Sequence, residues 1–585
     1  MIFRWQDFSR KKLRHRLGMI QTEKFFLAVR DWDAQCHAPL SFPIMSCLLP
    51  RQSLSLLLAT GLGAALASAQ APDPPWRLTN DQDHQMMKDL LGIKSLRLFA
   101  SGTPGTPNYA NYDERKAAAR SPVPEVLTLK SGEKVTAAQA WWEHRRPEIV
   151  EDFDREIYGR VPETAKNLKV KWSVTNTIQG KVGAHGIVTK QVTGQVDNSS
   201  YPLLDVNISL SITTPADAKG PVPVIMILGA GGGNLGAPRP AAPARGVPPT
   251  DPLSIESLTA RLSLTPVQAN AIRPLLAEMV KTQSDLAASQ AKAESVTGEL
   301  AGKIRAVLTP VQKPQFARLQ IMLNLLEQVP GFQEQLLSKG WGYASLNVGS
   351  IQADNGAGLT NGIIGLLNQG QGRKPEDWGV LRAWAWGASR ALDYLETDKQ
   401  VDAKRVGLQG ISRWAKAAIV TMAYEPRFAV AYVNSAGEGG TKLYRHLVGE
   451  TVENLTGANQ YHWMAGNFLK YGGPLTVDDL PVDAHELIAL CAPRPLFVSC
   501  GDGTPPGQDA WQDPHGMFMA TALASPVYEL LGKKGLPVQE MPTIGSALTD
   551  GELAFRQHEQ GHTDQPNWPV FIEFASRYLT GSVRP

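Results

Sequence analysis

One stretch limits the folds open to this 585-residue chain more than any other: Val406-Gly407-Leu408-Gln409-Gly410-Ile411-Ser412-Arg413-Trp414-Ala415-Lys416. It reads as a short buried strand, a sharp turn carrying a serine, and the start of a helix. Gly410 lets the backbone bend where a side chain would clash, and Ala415 to Val420 supply good helix formers. A serine at such a bend projects its hydroxyl above a sheet edge, with the helix N-terminus behind it to favour negative charge. Trp414-Ala415 supplies no second glycine, so the G-x-S-x-G elbow is incomplete. The pattern alone allows either a nucleophile or a helix-capping serine.

The surrounding chain alternates strand and helix. Strands are expected at Leu168–Val174, Gly186–Val192, Leu204–Ile212, Val222–Leu228, Gly342–Val348, Val406–Leu408, Phe428–Val433 and Pro495–Cys500. Val222–Leu228 is almost continuously apolar, as a central parallel strand buried on both faces should be. Helices are expected from Trp141 towards Tyr158, at Asp377–Leu395 and at Val570–Leu579. This rhythm predicts an α/β-hydrolase fold, a doubly wound three-layer sandwich, and the chain order Ser…Asp…His fits it. The catalytic domain would comprise 136–237 and 329–585. Gly229-Ala230-Gly231-Gly232-Gly233-Asn234, after the apolar strand, is either an oxyanion loop or a glycine-rich linker.

Residues 238–328 interrupt that rhythm and predict an inserted α-helical hairpin. Leu264-Thr265-Pro266-Val267-Gln268 and Leu308-Thr309-Pro310-Val311-Gln312 each read as a helix start, with Thr as N-cap, Pro first in the helix, and Gln completing a capping box. The doubled L-T-x-x-Q resembles that of the periplasmic Spy-like chaperones. The hairpin is either a structural excrescence or a wall beside the substrate cleft.

The formal net charge of +3 is unevenly placed. Residues 1–44 hold eight Lys/Arg against four Asp/Glu, whereas from Gln70 onward the balance is −2, so no nucleic-acid partner is indicated. Leu54 to Leu66 is an apolar run preceded by Arg51 and followed by Ala67-Ser68-Ala69. It is too short to span a bilayer and reads as a secretory signal cleaved after Ala69, with translation starting at Met45. The protein is therefore expected to be secreted or periplasmic, and it is taken as a monomer. Residues 70–135, rich in Pro, Gly and Ala, read as a loose leader. Cys491 and Cys500 flank one strand and stand too far apart along it for a disulfide.

Ser412, Arg413 and Lys416 resemble the G-C-S-R-x-G-K signature of the glucuronoyl esterases, the fifteenth family of carbohydrate esterases. The resemblance continues in order through Ala436-Gly437-Glu438-Gly439-Gly440, Gly449-Glu450-Thr451, Tyr461-His462-Trp463 and Asp483-x-His485-Glu486. It ends with Ala492-Pro493-Arg494-Pro495, Asp509-x-Trp511-x-Asp513-Pro514 and Gly561-His562. It implies Ser412 as nucleophile, His562 as base, and Arg413 as a cation facing the oxyanion. For the acid, some members use a glutamate where this chain has Ser435. Others place the acid after the next-to-last strand, and the D-x-W-x-D-P pattern there selects Asp509 over Asp502. Glu438 is assigned a structural or rim role. Lys416 and Glu450 would bond uronate hydroxyls, Trp511 would offer a face or N–H, and His462 and Trp463 would line the pocket or pack in the core. The family's cysteine beside the serine is Ile411 here, so its disulfide is not expected.

The resemblance thus implies a serine esterase for (4-O-methyl-)glucuronic acid esters, such as those joining glucuronoxylan to lignin. The rivals are an esterase for acetylated xylan and a decayed carbohydrate-binding hydrolase. No cofactor and no metal site is implied, because no His/Cys/Asp cluster has ligand spacing.

Overall fold

The computed structural model describes residues 73–117, 121–229, 330–503, 509–536 and 540–580, with parts of 255–316. The expected signal segment and the glycine loop from Ala230 onward lie outside the described residues.

Ten strands form one sheet: β1 Val170–Val182, β2 His185–Val196, β3 Asn207–Pro215, β4 Val222–Gly229, β5 Gly342–Asn347, β6 Val401–Ile411, β7 Val430–Asn434, β8 Leu496–Gly501, β9 Ala547–Leu548 and β10 Leu553–His558. Their order is β1-β2-β3-β5-β4-β6-β7-β8-β10-β9. From β5 to β10 every neighbouring pair is parallel, while β1, β2 and β3 extend the sheet as an antiparallel ribbon. The central strands alternate between two cores. Val224 and Met226 of β4 and Val433 of β7 join one cluster with the helices Val380–Leu395 and Arg413–Tyr424. Ile225 and Tyr432 join the other, with Trp568, Phe571 and Phe574 of the helix Trp568–Leu579. A side-chain period of two thus feeds apolar residues to both faces, as the unbroken apolar runs predict. Cys491 and Cys500 are buried and free.

The segment after residue 72 is not the loose leader expected. Helix Asn80–Leu90 is closed by a capping box between Thr79 and Gln82 and buries Met87. Ile93, Val126 and Val135 join the main core, and the Asn111 carbonyl accepts from Gly449 N–H at 2.8 Å. The attachments are single apolar residues separated by Pro and Gly, so no periodicity announces them. Strand β10, just before His562, is not among the strands the sequence predicts. Its six residues are all buried, Arg556, Gln557 and His558 included, so their polarity masks the strand.

In the insertion, helix Pro266–Asp285 begins where the first L-T-P-V-Q predicts. Both capping boxes form: Thr265 N–H donates to Gln268 Oε1 and Thr309 N–H to Gln312 Oε1, each at 3.0 Å. The two motifs also meet, Gln268 Nε2 donating to Gln312 Oε1 at 2.9 Å and Gln312 Nε2 to Gln268 Oε1 at 3.4 Å. Leu264, Ile272, Leu276, Leu300, Ile304, Leu308 and Phe316 belong to an apolar cluster distinct from both cores of the sheet.

Candidate active site

Ser412 follows β6, Ser435 follows β7, Asp509 lies beyond β8 and His562 beyond β10, all past the carboxyl ends of parallel strands, where ligands bind in open α/β sheets. Ser412 follows β6 directly, at φ 60° and ψ −131°. That backbone region is sparsely populated for any residue but glycine and costs about 1–3 kcal/mol. A Cβ on Gly410 would lie 2.3 Å from the Trp414 carbonyl oxygen, so the turn closes this tightly only with glycine there. The hydroxyl of Ser412 makes no side-chain cap to the helix Arg413–Tyr424, which removes the capping explanation for this serine. Its N–H is held by the Asn434 carbonyl at 3.0 Å.

The fully buried Asn434 fastens the neighbouring segments. Its amide donates to Ser435 Oγ at 3.0 Å and to the Thr563 carbonyl at 3.1 Å, and its Oδ1 accepts from Ser499 Oγ at 2.6 Å. His562, adjacent to Thr563, is therefore tied to the end of β7. Its loop also packs on the end of β8, where a Cβ on Gly501 would meet the Gly561 carbonyl oxygen at 2.1 Å.

Asp509 is fully buried and accepts three bonds: from His562 Nδ1 at 2.8 Å, Ser435 Oγ at 2.6 Å and Gly501 N–H at 2.5 Å. Burial pushes its carboxyl up, but the His562 ring, the Ser435 hydroxyl and the Gly501 amide outweigh it and hold the pKa below the ordinary carboxylate value. Asp509 thus remains an anion that fixes the ring, leaving Nε2 as the nitrogen able to exchange a proton. Asp502 instead gives its backbone carbonyl to Asp509 N–H at 3.1 Å. Ser435 cannot act as the acid, but it buttresses the carboxylate that can.

Arg413 opens the helix with its side chain 45% exposed, and its Nη1 donates to Asp354 Oδ2 at 2.8 Å. The other oxygen of Asp354 accepts from Trp463 Nε1 at 2.6 Å and from His462 Nε2 at 2.9 Å. Burial pushes Asp354 up, yet His462, Trp463 and Arg413 together hold it well below the usual carboxylate range. Burial lowers the pKa of His462, so a neutral ring is its donor form here. His462 and Trp463 are core residues by burial, at 2% and 3% exposure, and also fix the carboxylate that holds Arg413. Asp354 carried no signal in the sequence beyond its place in the loop after β5, at the ligand-binding edge of the sheet.

Lys416, one turn further along the helix, is buried. Its ammonium donates to the Ala436 and Glu438 carbonyls, both at 2.6 Å, and to Glu450 Oε2 at 3.3 Å. Burial lowers its pKa, with Glu450 opposing. All three donors face protein acceptors, so a sugar hydroxyl reaches Lys416 only by displacing one, and the Glu450 contact is the longest. Glu438 is no rim residue: it is fully buried and bonded by Lys442 Nζ at 2.5 Å. Trp511 is half-buried; its carbonyl accepts from Glu450 N–H at 2.9 Å. A Cβ on Gly102 would lie 3.6 Å from its ring, so the amino-terminal segment borders this side of the site.

A parallel sheet with helices on both faces, a strained strand–serine–helix turn and an aspartate-bound histidine define the class: the fold is that of the α/β-hydrolases. A family profile described as glucuronyl esterase, fungi, matches residues 369–532. The carbohydrate esterase MZ0003, from an unknown prokaryotic organism, is 30% identical over 487 residues, covering 81% of this chain and 93% of that protein. A glucuronoyl esterase of carbohydrate esterase family 15 from Teredinibacter turnerae superposes with a TM-score of 0.66 at 36% identity, covering 85% of this chain and 99% of that structure. The 4-O-methyl-glucuronoyl methylesterase of Podospora anserina is 41% identical over 129 residues, 20% of this chain and 26% of that protein. The chain belongs to the glucuronoyl esterases, carbohydrate esterase family 15, and is a carboxylic ester hydrolase.

Proposed function

We propose that the chain hydrolyses esters of (4-O-methyl-)glucuronic acid through Ser412, His562 and Asp509, with Arg413 stabilising the oxyanion. Ser412 Oγ attacks the ester carbonyl while His562 Nε2 takes its proton. Asp509, bound to Nδ1, holds the ring in the required tautomer and offsets the imidazolium charge. The tetrahedral oxyanion draws on Arg413, whose Nε and Nη2 make no hydrogen bond among the described residues. As the intermediate collapses, the leaving alkoxide receives the proton from His562. Water, activated by the same ring, then attacks the acyl-serine and returns the free acid. Trp511 and the buried Lys416–Glu450 pair form the sugar side of the pocket, a sugar hydroxyl replacing their 3.3 Å contact.

The observation that carries this reading is the backbone of Ser412 at φ 60°, a strain with no capping bond to justify it and a purpose only if the hydroxyl must stand clear of the sheet. The names of the relatives point to the uronate as the acyl group. Export through the Leu54–Leu66 signal would place the enzyme where lignin–glucuronoxylan esters occur.

Turnover of benzyl glucuronate and of an acetylated sugar by the purified chain tests the proposal. The uronate ester should be the preferred substrate, and Ser412→Ala should abolish its hydrolysis without changing the circular dichroism of the fold. Preference for the acetyl ester, or activity in the alanine variant, would overturn the reading.

A further inference from the structure

Among residues given no part in ester hydrolysis, three segments distant in sequence bring together Glu114, His446 and His515. One ligand atom from each lies within 4.8 Å of the others, a grouping of metal-binding side chains found nowhere else among the described residues. Sequence spacing gave no hint of it, because Glu114 belongs to the amino-terminal segment, His446 to the loop before Glu450, and His515 to the helix Pro514–Leu523.

The two imidazoles stand edge to face, with ring centres 5.7 Å apart. His446 Nδ1 is held by Asp513 Oδ2 at 2.6 Å, the carboxylate–histidine arrangement that orients a metal ligand and leaves Nε2 as the donor. Asp513 is itself buried and anchored, accepting from Gly516 N–H at 2.9 Å. His515 Nδ1 lies 2.8 Å from Glu114 Oε2, yet this buried nitrogen has no hydrogen bond, because the oxygen is not in line with an N–H direction. A cation can take the place of this misaligned contact only if Glu114 draws back, since two donors on one tetrahedral zinc stand farther apart than 2.8 Å. Nothing in the hydrolytic mechanism uses any of these groups.

The geometry points to a divalent transition-metal site, zinc above all, with His446, His515 and Glu114 as ligands and Asp513 as the orienting carboxylate. Two imidazoles and one carboxylate make a two-histidine, one-glutamate donor set that suits Zn²⁺, with water completing a tetrahedron. Donors on one tetrahedral zinc ion stand roughly 3.3 Å apart, given Zn–N bonds of about 2.0–2.1 Å. The exposed Glu114 supplies the movement that closes the site. Its effect is structural: one ion would tie the amino-terminal segment, whose Gly102 backs Trp511, to the body of the enzyme.

The test is calorimetric titration of the chelator-treated full chain with Zn²⁺ alone, together with Co²⁺ substitution read by visible d–d absorption. Saturable binding of a single ion per chain is expected, with a rise in melting temperature. Loss of an orienting group typically weakens metal binding by about 10–100-fold, so His446→Ala and His515→Ala, which remove ligands, should exceed about 100-fold. Glu114→Gln, a change at an exposed side chain that keeps the fold whatever the histidine variants do, should weaken Zn²⁺ binding at least about tenfold and alter the Co²⁺ spectrum. Absence of saturable Zn²⁺ binding, or binding and Co²⁺ spectrum unchanged in Glu114→Gln, would overturn the site.

Discussion

Two clusters of charge flank the helix that follows Ser412, and they are built on opposite principles. At its first turn Arg413 is half exposed and bonded through one nitrogen to Asp354, whose remaining oxygen holds His462 and Trp463. One turn later Lys416 is sealed in with Glu438, Lys442 and Glu450, and every ammonium donor of Lys416 has a protein acceptor. Burial opposes the charge on Lys442, but Glu438 and Asp513 beside it outweigh that and raise its pKa. An exposed pair gains little from its ground-state contact, so Arg413 is available to charge that develops later. A buried cluster gains nothing from a new partner without giving up an old one, so its chief effect is to fix the shape of the pocket. On the proposed mechanism, the same residue class would serve transition-state charge at the rim and structure beneath it.

The largest expected effect lies outside both clusters and calibrates them. Asp509→Asn should lower kcat on benzyl glucuronate by about 10⁴, the cost of leaving the histidine in the wrong tautomer. Glu438→Gln should cost far less in kcat, because that carboxylate reaches Lys442 and not the histidine. A reversed ranking would transfer the acid to Glu438. Next comes stability: burial already pushes the Glu438 carboxyl well up against the pull of Lys442, so Lys442→Met leaves a buried carboxyl that must take up a proton or stay unpaired, and should lower unfolding free energy by up to about 3–5 kcal/mol in denaturant melts. Arg413→Met should cost no more than about 1 kcal/mol. Equal losses would erase the distinction between rim and interior. The smallest effect is expected from the insertion. Replacing residues 238–328 by a short Gly/Ser linker should leave kcat on small esters unchanged, because its described apolar residues form a cluster of their own. Loss of folding would show that the insertion completes the main core.

Much of the architecture was legible because it rests on local chemistry. The apolar runs of β4 and β7 announce burial on both faces, and the Thr-Pro-Val-Gln motifs announce helix starts. The elbow was legible from Gly410 and Ser412, although Trp414 replaces the usual glycine. What could not be read depends on contacts distant along the chain. Asp354 acquires meaning only because Arg413, His462 and Trp463 converge on it. Ser435 reads in sequence only as a missing acid, whereas its hydroxyl donates to Asp509. The reciprocal Gln268–Gln312 bonds turn two separate capping boxes into one joint. The segment around Met87 and Ile93 reads as a loose leader because isolated anchors between Pro and Gly leave no period to detect.

The central claim is that Arg413 acts on charge formed during the reaction, while the buried Lys416 cluster acts on the ground state. Steady-state kinetics of Arg413→Ala on benzyl glucuronate test it most directly. Loss of one oxyanion donor costs about 10²–10³ in kcat, and an interaction made mainly in the transition state leaves KM nearly unchanged. Arg413→Lys, which keeps the charge without the planar fork, should recover part of that loss. A fall in kcat of that size at constant KM is the result expected. An alanine variant with kcat intact and KM raised would make Arg413 a ground-state binding residue and contradict the account.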